Sequence, residues 1–110
     1  MNVERRERIR ALNDRLRRQH VGGRILVSSG IMAGGPGMAA AALVAVRHFD
    51  KFDERNDPYG EHDFGAVTVG AQRIFWKIDY YDASMTSHAV DPSDPAACVR
   101  VLSIMLAEEY

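Results

Sequence analysis

Isolated apolar residues recur at helical spacing in the first part of the chain, among many charged ones. Ile9, Leu12 and Leu16 stand at positions i, i+3 and i+7, which predicts an amphipathic helix over residues 3–19. The Gly22-Gly23 pair that follows is typical of a helix end. Because the apolar stripe is narrow, we expect this helix either to be the loosest element of the fold or to pack against a second chain.

A continuous apolar run and a glycine-rich loop come next. Residues 24–28 predict a short strand in a buried, central position, and residues 38–49 predict a helix with Pro36 in its first turn. The four glycines between these two elements lack the Gly-Lys-Ser/Thr ending of a phosphate-binding loop. We therefore interpret the loop as a structural turn.

Residues 64–69 and 72–81 alternate in the manner of a β-hairpin. The Gly70-Ala71 pair between them suits a tight two-residue turn, which places Gly65 opposite Trp76. Alternate residues of the second strand then share the predicted core face: Ile74, Trp76, Ile78 and Tyr80. Phe75 lies on the opposite face, which is therefore only partly polar and is expected to be covered.

The last apolar segment is interpreted as a helix over residues 95–108, with Asp94 as its N-cap. Its predicted buried face consists of Cys98, Val101, Leu102, Met105 and Leu106. Together these elements predict an α+β fold in one domain, residues 1–110, in the order α-β-α-β-β-α. We expect a three-stranded, mainly antiparallel sheet with the helices packed on one face.

The composition is that of an ordinary globular domain. The 110 residues are 46% hydrophobic and 26% charged, so the chain is long enough for one core. A single cysteine, Cys98, excludes an intrachain disulfide and a cysteine-based zinc site. The start of the chain is too charged for a signal peptide, and its apolar runs are too short to span a bilayer. We therefore expect a cytoplasmic protein with no membrane partner.

Charge is distributed unevenly along the chain. Residues 1–24 contain eight arginines and three acidic residues, a net charge of +5, whereas residues 25–110 carry −6. The candidate basic surface consists of Arg5, Arg8, Arg15 and Arg18. The candidate acidic surface consists of Asp50, Asp53, Glu54, Asp57, Glu61 and Asp63. Either surface is suited to a charged partner, and the simpler interpretation is that the first helix docks its basic face on the acidic body.

A second candidate site is the polar group His62, Asp63 and Asp79. A histidine near carboxylates is suited to acid–base chemistry. The surrounding segment does not match the pattern of a calcium-binding loop. Pro58 stands where that loop needs its turn glycine, and Phe64 stands where it needs its closing glutamate. We therefore assign no catalytic residue, no metal ligand and no cofactor, and interpret His62 and Asp63 as residues that hold the loop by hydrogen bonds to the backbone.

Several blocks of the chain resemble a bacterial family of short proteins of unknown function. The three main blocks are GEHDFG at residues 60–65, FWKIDYYD at residues 75–82 and IMLAEEY at residues 104–110. Residues 12–14 and 22–24 are similar to that family as well. The resemblance implies a single-domain bacterial cytoplasmic protein that is often carried on plasmids or other mobile DNA, and it implies no activity.

Three functions stay open on these grounds. The favoured function is that of a non-enzymatic protein-binding or regulatory module. The mobile-DNA setting that the resemblance implies suggests a more specific function, an anti-CRISPR-like inhibitor of a host defence complex. Such an inhibitor would use the acidic surface to imitate phosphates. The alternatives are a small metal-dependent hydrolase centred on His62 and Asp63, and a nucleic-acid accessory protein that uses the arginine-rich helix. The expected partner is another protein or a nucleoprotein complex, with direct nucleic-acid binding ranked lower and a homodimer left open.

Overall fold

A computed structural model describes residues 3–110. In chain order the elements are α1 (Val3–Gln19), β1 (Arg24–Val27), α2 (Ser29–Met32), α3 (Pro36–His48), β2 (Phe64–Val69), β3 (Gln72–Tyr81), β4 (Val99–Leu106) and a closing 3-10 turn (Ala107–Glu109). The predicted helix at the start of the chain and the predicted hairpin are confirmed with the predicted bounds. The second predicted helix begins two residues earlier than expected, at Pro36.

The sheet has four strands in the order β1-β4-β3-β2, so β1 is an edge strand. The prediction of a buried, central strand is wrong here, because within residues 3–110 β1 pairs only with β4 and its residues alternate between exposed and half-buried. The two pairs β2–β3 and β3–β4 are antiparallel, whereas β1 runs parallel to β4. The α+β class is therefore confirmed, but the prediction of three strands is wrong. The sheet is mixed, and its parallel pair joins strands from opposite ends of the chain.

The predicted last helix, residues 95–108, is also wrong, because this segment forms β4 and the element order becomes α-β-α-α-β-β-β. Asp94 caps a short turn, in which its side chain accepts a hydrogen bond from the backbone N–H of Ala96. The apolar run after that turn is buried on both faces of the sheet, so its periodicity fits a helix and a central strand equally well. Pairing with β1 on one side and β3 on the other decides between them.

The hairpin has the predicted register, with Gly65 opposite Trp76 and Val67 opposite Ile74. Gly70 has a positive φ of 60°, as the tight turn requires. Gly65 is required for packing, because a Cβ at this position would lie 2.6 Å from Nε1 of Trp76. The glycine therefore lets the indole ring lie flat on the neighbouring strand.

The core lies between the sheet and the helices α1 and α3. It is built from fully buried side chains of all these elements: Ile9, Leu16, Ile31, Ala42, Val46, Ile74, Trp76, Leu102 and Ile104. The first helix therefore docks on its own chain, beside α3 and β4. Within residues 3–110, no helix has both the length and the apolar character that crossing a bilayer requires.

The glycine-rich loop after β1 is fastened to the end of the chain. The carboxylate of Glu109 accepts hydrogen bonds from the Ser28 hydroxyl at 2.6 Å and from the Gly30 N–H at 3.0 Å. The N–H of Leu106 donates to the same carboxylate at 2.8 Å. These three donors hold the pKa of Glu109 below its usual value. The loop and the closing 3-10 turn are thus joined at one edge of the sheet.

The face of the sheet opposite the helices carries apolar side chains at its surface. Leu26 of β1 is 56% exposed, and Tyr110 is 72% exposed while its ring packs edge-on against Phe75. Phe64 completes this aromatic group, at 5.6 Å from Phe75. That another element or molecule covers this face of the sheet, the face that carries Phe75, stays a prediction.

Candidate functional site

Two polar residues of α1 point into the core. Asn13 and Arg17 are both 0% exposed, and they share one helical face with Ile9 and Leu16. Leu12, which the apolar pattern assigned to that face, is only half-buried. The buried stripe of α1 is therefore half apolar and half polar, and hydropathy alone does not identify its polar members.

Arg17 closes the C-terminal end of α3. Its Nη1 donates to the carbonyl oxygens of Val46, Arg47 and Phe49 at 2.9, 3.2 and 2.8 Å. Its Nη2 donates to Oδ1 of Asp14 at 3.0 Å. Burial lowers the pKa of this guanidinium, and the hydrogen bond with Asp14 opposes that shift. One buried side chain thus satisfies carbonyl groups that the end of a helix leaves without partners.

The guanidinium of Arg17 also lies among aromatic rings. Its central carbon is 5.3 Å from the centroid of Trp76 and 5.4 Å from that of Phe52. A desolvated cation over aromatic faces is stabilised by about 2 kcal/mol in favourable cases. These contacts offset part of the cost of burying the charge.

Asn13 is the centre of a second buried network. Its Nδ2 donates to the Tyr80 hydroxyl at 2.7 Å and to the Glu61 carbonyl at 3.0 Å. Its Oδ1 accepts from Nε of Arg100 at 2.8 Å. The Tyr80 hydroxyl donates in turn to Oε1 of Glu61 at 2.8 Å, and burial raises the pKa of that tyrosine. Arg100 also donates to the carbonyl of Pro92, so the network joins α1, β3, β4 and two loops.

His62 fastens the segment 50–63 to α1. Its Nδ1 lies 2.9 Å from Oδ1 of Asp14, and its Nε2 lies 3.7 Å from Oδ2 of Asp57. Its ring stacks on Phe52 at 3.7 Å with an interplanar angle of 2°. The residue has a positive φ of 55°, which the surrounding contacts must sustain. Both ring nitrogens therefore face carboxylates of the same chain.

The predicted polar site is not assembled as one group. Asp79 pairs with Lys77 at 3.0 Å on the outer face of β3, whereas His62 faces Asp14 and Asp57. Among residues 3–110, no three His, Cys, Asp or Glu side chains are arranged to hold a metal ion. The metal-dependent hydrolase stays a prediction that this geometry does not favour.

Asp63 is the acidic residue of this region whose pKa is strongly shifted by folding. Burial, reinforced by the negative charge of Glu61, raises its pKa to about 6 from the ordinary value of 3.8. A carboxyl group whose pKa is raised by folding favours the folded state only in its protonated form. Ionised Asp63 therefore destabilises the fold. The penalty is fully present above about pH 6 and absent below about pH 4.

Replacing Asp63 with asparagine is accordingly expected to raise the melting temperature at pH 7. We expect a gain of about 1–2 kcal/mol, after a discount for partial exposure of the side chain. The gain should shrink as the pH falls from 6 and disappear near pH 4. Thermal unfolding followed by circular dichroism across this range measures the effect, with Glu54→Gln as the exposed control. A gain that does not change with pH would contradict the explanation.

The predicted acidic surface divides into two parts. Asp57, Glu61 and Asp63 are at least half-buried, and Asp57 accepts hydrogen bonds from the backbone N–H groups of Glu61 and His62 with its side chain only 5% exposed. The exposed part is the stretch 50–55, in which Asp50, Asp53 and Glu54 alternate with Lys51 and Arg55. Its formal charge is only −1. Most of the predicted acidic surface therefore builds the loop or is locally neutralised.

The predicted basic helix also divides. Arg5 pairs with Asp91 at 3.1 Å, which fastens the start of α1 to its own chain. Arg8, Arg15 and Arg18 are exposed. Arg18 lies beside the end of α3, where an open groove is lined by Arg18, Arg47, His48 and Asp50. Sequence analysis missed Arg47 and His48 because their proximity to Arg18 depends on how α1 packs against α3.

Comparison with known proteins assigns most of the chain to one protein family. Residues 27–109 match the model of a family described as "Protein of unknown function (DUF3768)". No curated protein and no solved structure matches the chain. The predicted resemblance to a family of uncharacterised proteins is thus confirmed, while the bacterial origin and the particular sequence blocks stay predictions.

Proposed function

The chain belongs to the family described as protein of unknown function (DUF3768), and we propose that it is a non-enzymatic protein that binds the phosphodiester backbone of nucleic acid. The observation that carries this proposal is the convergence of exposed arginines from two helices. We call Arg15, Arg18, Arg47 and His48 the basic patch, and all four are exposed.

The geometry of the two helices brings these side chains together. Arg15 and Arg18 are three residues apart on α1, so they are neighbours on one helical face at a Cβ separation of about 5–6 Å. Arg18 shares a groove with Arg47 and His48, which lie in the last turn of α3. The patch therefore follows the surface where the C-terminal ends of α1 and α3 meet.

The arginines of the patch are available for a partner. Within residues 3–110, none of the ion pairs involves Arg15, Arg18 or Arg47. By contrast, Arg5 and Arg17 of the same helix pair with Asp91 and Asp14. Exposed guanidinium groups that are not held in an ion pair are the groups that bind nucleic-acid phosphates, although Asp50 lies in the same groove as Arg18 and Arg47.

The other surfaces offer weaker support for their predicted functions. The polar side chains around Asn13, Asp14 and His62 satisfy one another, as expected of groups that build a loop rather than perform catalysis. The exposed stretch 50–55 contains cations as well as carboxylates, which makes it a poor imitation of phosphates. The inhibitor of a host defence complex therefore stays a prediction, with less support than the basic patch gives to nucleic-acid binding.

Binding to a fluorescent DNA duplex of about 20 base pairs tests the proposal, with anisotropy measured as a function of salt. We expect binding at low salt that weakens steeply as salt rises. The double variant Arg15→Gln/Arg18→Gln should weaken binding at least tenfold and reduce the slope of log K against log salt by about 2, since each lost phosphate contact removes about 0.9.

A matched control separates the patch from the overall charge of the protein. The double variant Arg24→Gln/Arg73→Gln removes the same charge from two exposed arginines of the sheet, outside α1 and outside the patch. It should bind the duplex as the unmodified protein does. Equal losses in the two double variants, or no binding of the unmodified protein at about 50 mM salt, would overturn the proposal.

A further inference from the structure

The open groove within the basic patch has a defined charge. It has a volume of about 310 Å³ and is lined by Arg18, Arg47, His48 and Asp50. With a neutral histidine its formal charge is +1, because one carboxylate offsets one of the two guanidinium groups. We propose that this groove is the subsite for one internal phosphodiester of the bound strand and that Asp50 selects against a terminal phosphate. This inference rests on the proposed function and names the chemical group that the groove accepts.

The position of the groove needs a physical explanation, because the C-terminal end of a helix normally repels anions. The unpaired carbonyl groups there carry about half a negative charge. In this protein the buried guanidinium of Arg17 binds the carbonyl oxygens of Val46, Arg47 and Phe49 from below. This guanidinium also pairs with Asp14, but it places positive charge against these carbonyl oxygens and so offsets part of the helix dipole where Arg18 and Arg47 line the groove.

The side chains that line the groove suit a phosphodiester. Arg18 and Arg47 each present a planar fork of donors, and such forks bind two oxygens of one phosphate group. His48 lines the same groove. A phosphodiester carries one negative charge, which matches the groove, whereas a terminal phosphate carries about −1.5 to −2 at neutral pH. The carboxylate of Asp50 lies where this additional charge would be repelled.

Asp50 therefore has a different role from the one its sequence suggests. The sequence groups it with the acidic segment 50–63, but the structure places it beside Arg18, Arg47 and His48. We assign Asp50 as a specificity-determining residue of the groove.

Two dinucleotide probes test the assignment by NMR titration of the folded protein. One is a thymidine dinucleotide with a single internal phosphodiester, and the other has the same structure with an added 5′-phosphate. We expect both probes to shift the backbone signals of Arg18, Arg47 and His48 saturably and with similar affinity. Arg47→Gln should weaken both at least fivefold, while Arg24→Gln, an exposed arginine of β1, should change neither.

Asp50→Asn provides the sharper measurement because it is expected to gain affinity. The groove then carries +2, so the probe with the 5′-phosphate should bind several-fold more tightly than the probe without it. Glu54→Gln removes an exposed carboxylate from the same loop outside the groove, and it should leave the ratio of the two affinities near one.

The outcomes separate this inference from the proposed function. If the dinucleotides shift no groove signal, or if Asp50→Asn leaves the affinity ratio unchanged, the subsite is overturned even when the duplex binds through Arg15 and Arg18. If the dinucleotides saturate the groove but the duplex does not bind, the groove accepts a phosphodiester, and the proposal that this protein binds a nucleic-acid duplex is overturned.

Discussion

Replacing Arg17 with methionine is expected to destabilise the protein by about 3–5 kcal/mol, the cost typical of breaking a buried charged network by removing one partner. The substitution keeps most of the side-chain volume, so the loss arises from hydrogen bonds. It removes the guanidinium that donates to the carbonyl groups at the end of α3 and to the carboxylate of Asp14. Urea unfolding followed by the fluorescence of Trp76, whose ring faces the guanidinium, measures the loss.

The matched control for this prediction is the next residue. Arg18→Met makes the same chemical change at an exposed position of the same helix, where substitutions usually alter stability by no more than about 0.5 kcal/mol. Equal unfolding free energies for the two variants would show that the contacts of Arg17 do not stabilise the fold. They would also argue against the role of Arg17 in offsetting the helix dipole at the end of α3.

Replacing Asn13 with leucine is expected to cost about 3 kcal/mol, because buried polar groups lose their partners. Leucine has nearly the same size, but it neither accepts from Arg100 nor donates to Tyr80. Arg100 is 1% exposed, so its charge has little access to water in compensation. Chemical denaturation measures the loss, and Gln19→Leu serves as the exposed control on the same helix.

A double-mutant cycle extends the test of this network. Tyr80→Phe removes the hydroxyl that bridges Asn13 and Glu61. Residues of one hydrogen-bond network are expected to show a coupling energy of about 0.5–3 kcal/mol. Additive losses for Asn13→Leu and Tyr80→Phe would contradict the network, as would a loss below about 1 kcal/mol for Asn13→Leu alone.

The two networks explain why the long segment 50–63 has a fixed path without regular secondary structure. It is held at its start, where Arg17 binds the carbonyl of Phe49, and at its end, where His62 meets Asp14. Between these points the carbonyl of Glu61 accepts from Asn13. A long acidic connection is often a binding loop, but here much of its polarity serves to fasten it to α1.

The elements that the sequence predicted correctly depend on local physics. The helix α1 ends near its glycine pair, α3 begins at a proline, and the hairpin register follows from a two-residue turn. Each of these signals acts within a few residues, so it can be recognised without knowing what the segment packs against. The ring of His62 likewise stacks on Phe52, only ten positions away, but its contacts with the carboxylates of Asp14 and Asp57 replace the backbone hydrogen bonds predicted for it.

The helix predicted at residues 95–108 shows where local signals are insufficient. An apolar segment that is buried on both faces has no period that separates helix from strand. Pairing with β1 makes this segment a strand. The residues of β1 lie more than 70 positions earlier in the chain, and Ile25 pairs with Leu102. Propensity is a weak preference, and such long-range pairing overrides it.

The α+β class, the two long helices, the hairpin and the uneven distribution of charge follow from the sequence alone. Which charges are buried and which are exposed follows from the packing of the elements, because it depends on neighbours far apart in sequence. Arg17 and Arg18 are adjacent and chemically identical, yet one is enclosed beneath α3 and the other lines an open groove. The physical reason is the helical period: consecutive residues point about 100° apart, and packing determines which direction leads into the core.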